Sequence, residues 1–427
     1  MIAEASQPLA GIQPSNGAGA PIDEARRTVL VGFAEASAAP EVVWSLADAG
    51  FTVVAFARRG RPSAVRHSRH VMCHEITAPE ASVERALNDL QSLMGALVPA
   101  GAGAPNVLLP LDDTAVWLCS RAALPEGWIS AGPAGPQADL ALNKFLQVEA
   151  ARAAGFNVPQ TALVRTVQDA TAFADTASFP IILKAADCVS VVDGRRYTCR
   201  KWICADRGEL NRALADWAER VPLLAQSFVA GVGEGVFGLA THAGIAAWSA
   251  HRRLRMMNPQ GSGSSACISQ AVTADVQAHV EAMVGGTGWQ GLFMIELLRN
   301  KAGRVYFVEL NGRPWGSMAL SRRQGLEYPA WHVQLALGGP APSEVSVEPG
   351  LVCRHVGREL MHLLFVMRGP RSAALNGWPG FWSTLGRVAR VRRSDTFYNW
   401  RRADSRVFLA DAFYTVREQL FKPRAEG

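Results

Sequence analysis

The stretch from Leu292 to Asn311 constrains this chain more than any other. Two apolar runs, Leu292 to Leu298 and Val305 to Leu310, flank the polar turn NKAGR, which is the pattern of an antiparallel hairpin. A two-residue loop at Ala302-Gly303 sets Glu296 opposite Glu309, and Asn311, two residues on, shares their face. A bulged loop would shift that register by one. Like charges facing each other repel, and Glu296 lies within the apolar run FMIELL. Burying both carboxylates is costly unless a cation sits between them. Oxygen donors from Glu, Glu and Asn suit Mg²⁺, which takes few protein ligands and keeps its other positions for phosphate and water. Arg313, on the same face if the strand continues, could contact a phosphate or a substrate anion. The competing reading is a hairpin with one solvated polar face.

Two lysines favour the cation. Lys144 follows Asn143, an expected N-cap, in the first turn of a helix running to Ala154 with Gly155 beyond. A cation there opposes the helix dipole, so an external anion is its natural partner. Lys184 ends the strand FPIILKA, where a point charge reaches a crevice. Either alone reads as a surface residue; together with the acidic pair they describe a clamp for a triphosphate. HRRLR, at 251–255, adds positive charge, with Arg253 and Arg255 on one face of a strand and Arg252 on the other. A solvated basic strand end is the alternative there. Gln226 to Val229 closes the run VPLLAQSFV and offers backbone groups to a base.

With 427 residues, the chain exceeds the roughly 250–300 residues at which a single core stops growing. Residues 1–24 (with SQPLAGIQPSNGAGAP) read as a flexible tail without the basic and apolar regions of a secretory signal. Arg27 to Arg59 reads as strand, helix and strand, a β-α-β unit with a parallel sheet, and its first turn has Gly32 but no G-x-G-x-x-G. A helix from Ala81 to Gly95 leads to NVLLPL, expected as a third strand. It ends at Asp112 and Asp113, read as a solvated helix start in preference to a ligand crevice. The Gly/Pro-rich GPAGPQADL ends a first domain near 135. From 136 to 339 the expected elements are a helix from Val167 to Thr176, antiparallel strands over Val221–Ala240 and Ala246–His251, and a flexible loop at Gly261-Ser-Gly-Ser-Ser265. A helix from Ala274 to Gly285, the acidic hairpin, and a last helix from Ser317 past Pro329 follow. The domains expected are thus 1–24, 25–135, 136–339 and 340–427.

Charge is uneven. Residues 351–427 hold 14 Lys and Arg against 6 Asp and Glu, whereas the whole chain is only +6. A near-neutral body with a basic end is not a nucleic-acid coat. Trp378, Trp382, Phe397, Tyr398 and Trp400 interleave with those arginines. The preferred reading is a helical extension packed on the body of the protein, its arginines simply solvated, ahead of docking to an anionic membrane surface or a protein. The seven cysteines form no C-x-x-C pair, which points to a reducing cytoplasm. The longest apolar stretch near the end, Leu360 to Met367, is far below the about 20 residues of a membrane span.

The ordered parts resemble the ATP-grasp superfamily: an early Lys (Lys144), a second Lys ending a strand (Lys184), a hinge (QSFVAGVGEG, with Gln226, Phe228, Val229 and Glu234), an Arg-bearing strand (Arg252 or Arg253), and Glu296 followed by ELNGR with Glu309, Asn311 and Arg313. The likeness spans about 140–339, and the preceding domain is similar to the Rossmann-like pre-grasp domain of those proteins. It implies an α/β and α+β fold with antiparallel sheets and a mostly helical C-terminal extension. Among subgroups the chain most resembles stand-alone carboxylate–amine ligases related to the carbamoyl-phosphate synthase large subunit. Ser227 stands where many members have Glu, Asn143 where Asp is frequent, and no Gly-rich loop follows Lys184, so phosphate cover is expected from GSGSS or an Arg.

The resemblance implies phosphorylation of a substrate carboxylate by ATP, attack by an amine, and release of ADP and phosphate. Lys144, Lys184, Gln226, Phe228, Val229 and Glu234 would bind ATP. Glu296, Glu309 and Asn311 would bind Mg²⁺ or Mn²⁺, and Arg313 and Arg252 would be catalytic. Small carboxylate and amine partners, a cytoplasmic location and no nucleic acid are expected; the oligomeric state is left open. The rival readings are a non-catalytic ATP-binding regulatory module and a bicarbonate-phosphorylating enzyme like biotin carboxylase.

Overall fold

The structure is a computed structural model that describes residues 27–97, 105–343, 345, 347–370 and 377–421. The tail expected at 1–24 lies outside the described residues. Thr28–Gly32 (β1), Thr52–Arg58 (β2), Met72–Ile76 (β3), Asn106–Pro110 (β4) and Trp128–Ser130 (β5) form a parallel sheet in the order β3-β2-β1-β4-β5. Every residue of β1 and β4 is buried, as a sheet covered on both faces requires. The Ala39–Asp48 helix starts with a proline in its first turn and is followed by Gly50 at φ +86°, the usual asymmetry of helix ends. Asn106–Pro110 is therefore the fourth strand and not the third. The missed strand, β3, is an edge whose His74 and Glu75 are only half-buried, so it lacks the apolar run that marks β1 and β4.

A second sheet comprises Thr161–Val164 (β6), Ile181–Ala185 (β7), Trp202–Cys204 and Leu223–Ser227, all paired antiparallel. It has its own core around Phe173, Leu210 and Trp217. Between its strands a separate hairpin of Ser190–Val192 (β8) and Arg195–Tyr197 (β9) projects. With Trp202–Cys204 as β10 and Leu223–Ser227 as β11, the large third sheet adds Val232–Thr241 (β12), Gly244–Met256 (β13), Ser264–Gln270 (β14), Gly291–Arg299 (β15), Val305–Asn311 (β16), Val352–Arg354 (β17) and Thr396–Phe397 (β18). Its order is β16-β15-β12-β13-β14-β17-β18.

Three expectations need correction. Ser264 and Ser265 are paired residues of β14 and not loop. The helix expected past Pro329 is two helices, Met318–Arg322 and Tyr328–Ala336, separated at Gly325, whose φ of +81° ends a helical turn. The segment after 340 is mostly helical, but β17 and β18 build it into the large sheet. Several of its arginines are paired and not simply solvated: Arg354 is buried against Glu359 at 2.9 Å, and Arg401 meets Asp48 at 2.8 Å. Among the described residues no helix is long and apolar enough to cross a membrane. All seven cysteines are free thiols.

Candidate active site

Sequence-distant residues meet in a cavity of about 580 Å³ between the second sheet, the β8–β9 hairpin and one face of the large sheet. Its lining includes Lys144, Lys184, Gln226, Ser227, Phe228, Val229, Arg253, Glu296 and Glu309. The acidic pair arrives there by two departures that cancel. The turn has three residues, Lys301-Ala302-Gly303, with Gly303 at φ +80°, so near the loop Leu297 pairs with Phe307 and Arg299 with Val305. A bulge at Val308 then restores the expected pairing of Glu296 with Glu309. Without it Glu296 would face Val308, and Glu309 would turn to the other side of the sheet.

The lysines are stitched to each other. Asn143 caps the Lys144–Ala153 helix, its Oδ1 accepting from the amides of Phe145 and Leu146 at 3.0 and 2.9 Å. Its Nδ2 donates to Asp187 at 2.8 Å, while the Lys144 amide donates to the Ala186 carbonyl at 2.8 Å. The helix start is thereby pinned to the chain just beyond β7, so Lys144 and Lys184 open on one cavity. Lys144 Nζ lies 3.2 Å from Cys188 Sγ. Burial pushes the Cys188 thiol up to about 12, helped by Asp113, so it stays protonated at neutral pH. Among the described residues Lys184 shows no side-chain hydrogen bond like the one from Lys144 to Cys188. Burial pulls it down to about 8, with Glu309 opposing the shift and Lys144 and Lys201 adding to it. Two close ammonium groups in a shielded cavity are a site that an anion would relieve.

The arginine of the site is Arg253 and not Arg252. Glu234 pairs with Arg252 across β12–β13 and Gly235 with Glu296 across β12–β15. Arg252 therefore lies on the opposite face from Glu296, where it is exposed. Arg253 Nη2 reaches Glu296 Oε2 at 2.7 Å. It does so by crossing β12 over Gly233, where a Cβ would lie 2.8 Å from Arg253 Cδ. Glu234 is also misplaced by the sequence reading. It is buried on the opposite face and held by Arg299 at 2.8 and 3.0 Å, so it does not reach the cavity. Gln226 does, donating from Nε2 to Thr161 at 2.9 Å. The Phe228 amide is already bonded to the Pro180 carbonyl at 3.0 Å, which leaves its ring and the flanking backbone to meet a base.

Arg313 and Asn311 stand behind the cavity wall. Arg313 donates to both oxygens of Asp113, at 2.8 and 3.2 Å, and to Asn311 Oδ1 at 2.8 Å. Burial raises the Asp113 carboxyl, but the charge and hydrogen bonds of Arg313 outweigh it and hold the group below the usual range. Asp113 is thus a buttress and not a solvated helix start; Asp112 is the N-cap, accepting from the Ala115 amide at 2.7 Å. Asn311 donates from Nδ2 to Glu309 at 3.3 Å. A guanidinium on one side and a carboxylate on the other orient the amide, so its oxygen faces Arg313. The donors facing the cavity are therefore the carboxylates of Glu296 and Glu309. Among the described residues no three His, Cys, Asp or Glu side chains gather as a metal cage. Two carboxylates with phosphate and water completing the shell fit Mg²⁺.

Phosphate cover was expected from GSGSS or an arginine. Gly261, Ser262 and Gly263 do line the cavity, but so do Ser190, Arg196 and Tyr197 of the β8–β9 hairpin. Its turn, Asp193-Gly194, has φ of 49° and 71°, and Asp-Gly between short runs is the sequence signal that marks such a hairpin. Lys201, which also lines the cavity, carried no comparable signal.

No family model and no curated protein matches the sequence. Solved structures do match in fold. N5-carboxyaminoimidazole synthetase from Staphylococcus aureus superposes with a TM-score of 0.58 at 15% identity, covering 78% of this chain and 83% of that one. An L-amino acid ligase from Bacillus licheniformis gives 0.54 at 17% identity over 73% and 74% of the two chains. A biotin carboxylase from Campylobacter jejuni, solved as a β-γ-ATP complex, gives 0.57 at 15% identity over 76% and 74%. The chain has the ATP-grasp fold.

Proposed function

We propose that the protein is an ATP-dependent ligase that joins a substrate carboxylate to an amine. The observation that carries this reading is the convergence of Lys144, Lys184, Arg253, Glu296 and Glu309 on one cavity from five different elements. Lys144 and Lys184 would hold phosphate oxygens, and the Gln226–Val229 strip would lie against the base. Glu296 and Glu309 would hold Mg²⁺, which when bound offsets phosphate charge. Arg253, already beside Glu296, would stabilise charge on the transferring phosphoryl group. Arg313 would act through Asn311 and Glu309 by fixing their positions. In the reaction a carboxylate oxygen bonds to the γ-phosphorus as the bond to ADP breaks. The amine nitrogen then bonds to the acyl carbon, phosphate leaves, and the amine gives up a proton.

The test is ADP release with pooled acids and amines. Glu309→Gln is expected to abolish it while the circular dichroism spectrum stays unchanged; undiminished turnover would overturn the assignment. ADP release that needs bicarbonate and no acid–amine pair would instead favour a carboxylase.

A further inference from the structure

A second cavity, of about 380 Å³, adjoins the first and shares Arg196 and Gly263 with it. It lies beyond the end of β1, bounded by Glu35 and Arg58 on one side and by the Ser405–Phe421 helix on the other. Of the charges lining it, Arg58, Glu80, Arg196 and Asp411 already have partners, while Arg61 and Glu418 have no ion pair among the described residues. Arg58 meets Asp112 at 3.0 Å, Glu80 meets Arg196 at 2.9 Å, and Asp411 meets His355 at 3.1 Å and Asn399 at 3.0 Å.

Three groups lining it keep capacity. Arg358 donates to the Ser264 carbonyl at 3.1 Å and lies 3.2 Å from where a Cβ on Gly263 would stand. Its guanidinium therefore sits at the junction with the nucleotide cavity. Among the described residues Arg196 Nε, also at that junction, has no hydrogen-bond partner. Glu35 accepts from the Arg58 amide at 2.6 Å through Oε1, while its buried Oε2 has no hydrogen-bond partner among the described residues and is 3.6 Å from Arg58 Nη1.

Resting on the ligase reading, we propose that this cavity binds an acid substrate bearing a free amino group, its carboxylate held at Arg358 and Arg196 and its ammonium at Glu35. The carboxylate then stands where it meets the phosphate end of the first cavity. The Ser405–Phe421 helix, through Tyr414 and Thr415, forms the wall that limits side-chain size. Burial lifts the Glu35 carboxyl to about 7, with Arg58 opposing the shift, and an ammonium partner would complete its ionisation.

The test compares free α-amino acids with their N-acetyl counterparts as acids in the ADP-release assay on the full chain. Free amino acids are expected to exceed N-acetyl forms by about tenfold or more in kcat/KM, because a buried carboxylate left without its partner is penalised. Glu35→Gln and Arg358→Gln should each raise KM for the amino acid about tenfold, with ADP affinity within a factor of two as the check on folding. Equal use of N-acetyl acids, or an unmoved KM in Glu35→Gln, would overturn this inference and leave the ligase reading standing. Nucleotide binding with no ADP release for any acid and amine would overturn both.

Discussion

Lys184 sits in its cavity with an ammonium pKa pulled from 10.5 to about 8, chiefly by burial. That shift amounts to roughly 3 kcal/mol against the charged form. A bound polyphosphate would supply the counter-charge that Lys144 and Lys201 deny it, returning the group to its protonated form. Nucleotide affinity should then fall as pH rises through 8, because the free protein must take up a proton to bind. Between pH 7.5 and 9.5 the loss is about 25-fold for a single such group. The free protein responds in the opposite direction. Its depressed pKa means that the unfolded chain binds more protons between pH 8 and 10.5, so this group makes folding more favourable as pH rises through that window. The assay is calorimetric titration with ADP at saturating Mg²⁺ across that pH range, with thermal melts of the unliganded protein alongside. Lys184→Arg, charged throughout, should flatten the binding profile. A wild-type ADP affinity that stays constant from pH 7.5 to 9.5 would refute the reasoning.

Further expectations concern the walls of the site. Gly233→Ala should displace Arg253 from Glu296, since the added Cβ would lie 2.8 Å from Arg253 Cδ; ADP release should fall about tenfold or more with stability lowered by about 1 kcal/mol or less. Gly238→Ala would collide with the Phe293 ring and bring its Cβ within 2.8 Å of the Ala247 carbonyl oxygen, so it should cost about 1–3 kcal/mol by overpacking, read as a lower thermal midpoint. Asp113→Asn removes the charge that the half-buried Arg313 holds through two hydrogen bonds and should cost about 1–3 kcal/mol in chemical denaturation. In the wild type the depressed Asp113 pKa keeps that pair intact above the ordinary carboxylate range and loses its contribution only as pH falls through the lower folded value. Gly194→Val, at a φ of +71°, should unsettle the β8–β9 hairpin and raise KM for ATP.

Much of this geometry was legible because it rests on alternation and caps. The Asn143 cap, the helix from Val167 to Thr176, Lys184 at the end of β7 and the facing of Glu296 and Glu309 all follow from local rules. The last is correct for an incomplete reason, since the loop is longer than expected and a bulge compensates. What escaped depends on neighbours distant in the chain. Arg252 and Arg253 differ by one step of a pleat, and only the pairing of β13 through Gly235 to Glu296 shows which one faces the acids. Glu234 looked available because its partner, Arg299, lies 65 residues away. Arg358 and Glu35 gain meaning only when the first and third sheets are brought together. The Asn311 amide could not be oriented before Arg313 was seen to be held by Asp113.

The end of the chain has a consequence for how the protein is made. β17 pairs with β14 along Ala266, Cys267 and Ile268, and the Asp404 carboxylate accepts from the Trp44 indole at 2.8 Å. Until residues 352–397 have left the ribosome, β14 presents bare amides and carbonyls on the edge that β17 covers, a template for another strand. A shortened protein ending near 350 would inherit the same raw border. Its expected fate is clumping during expression, whatever its binding surfaces, so deletion is the wrong instrument for asking what the basic end does.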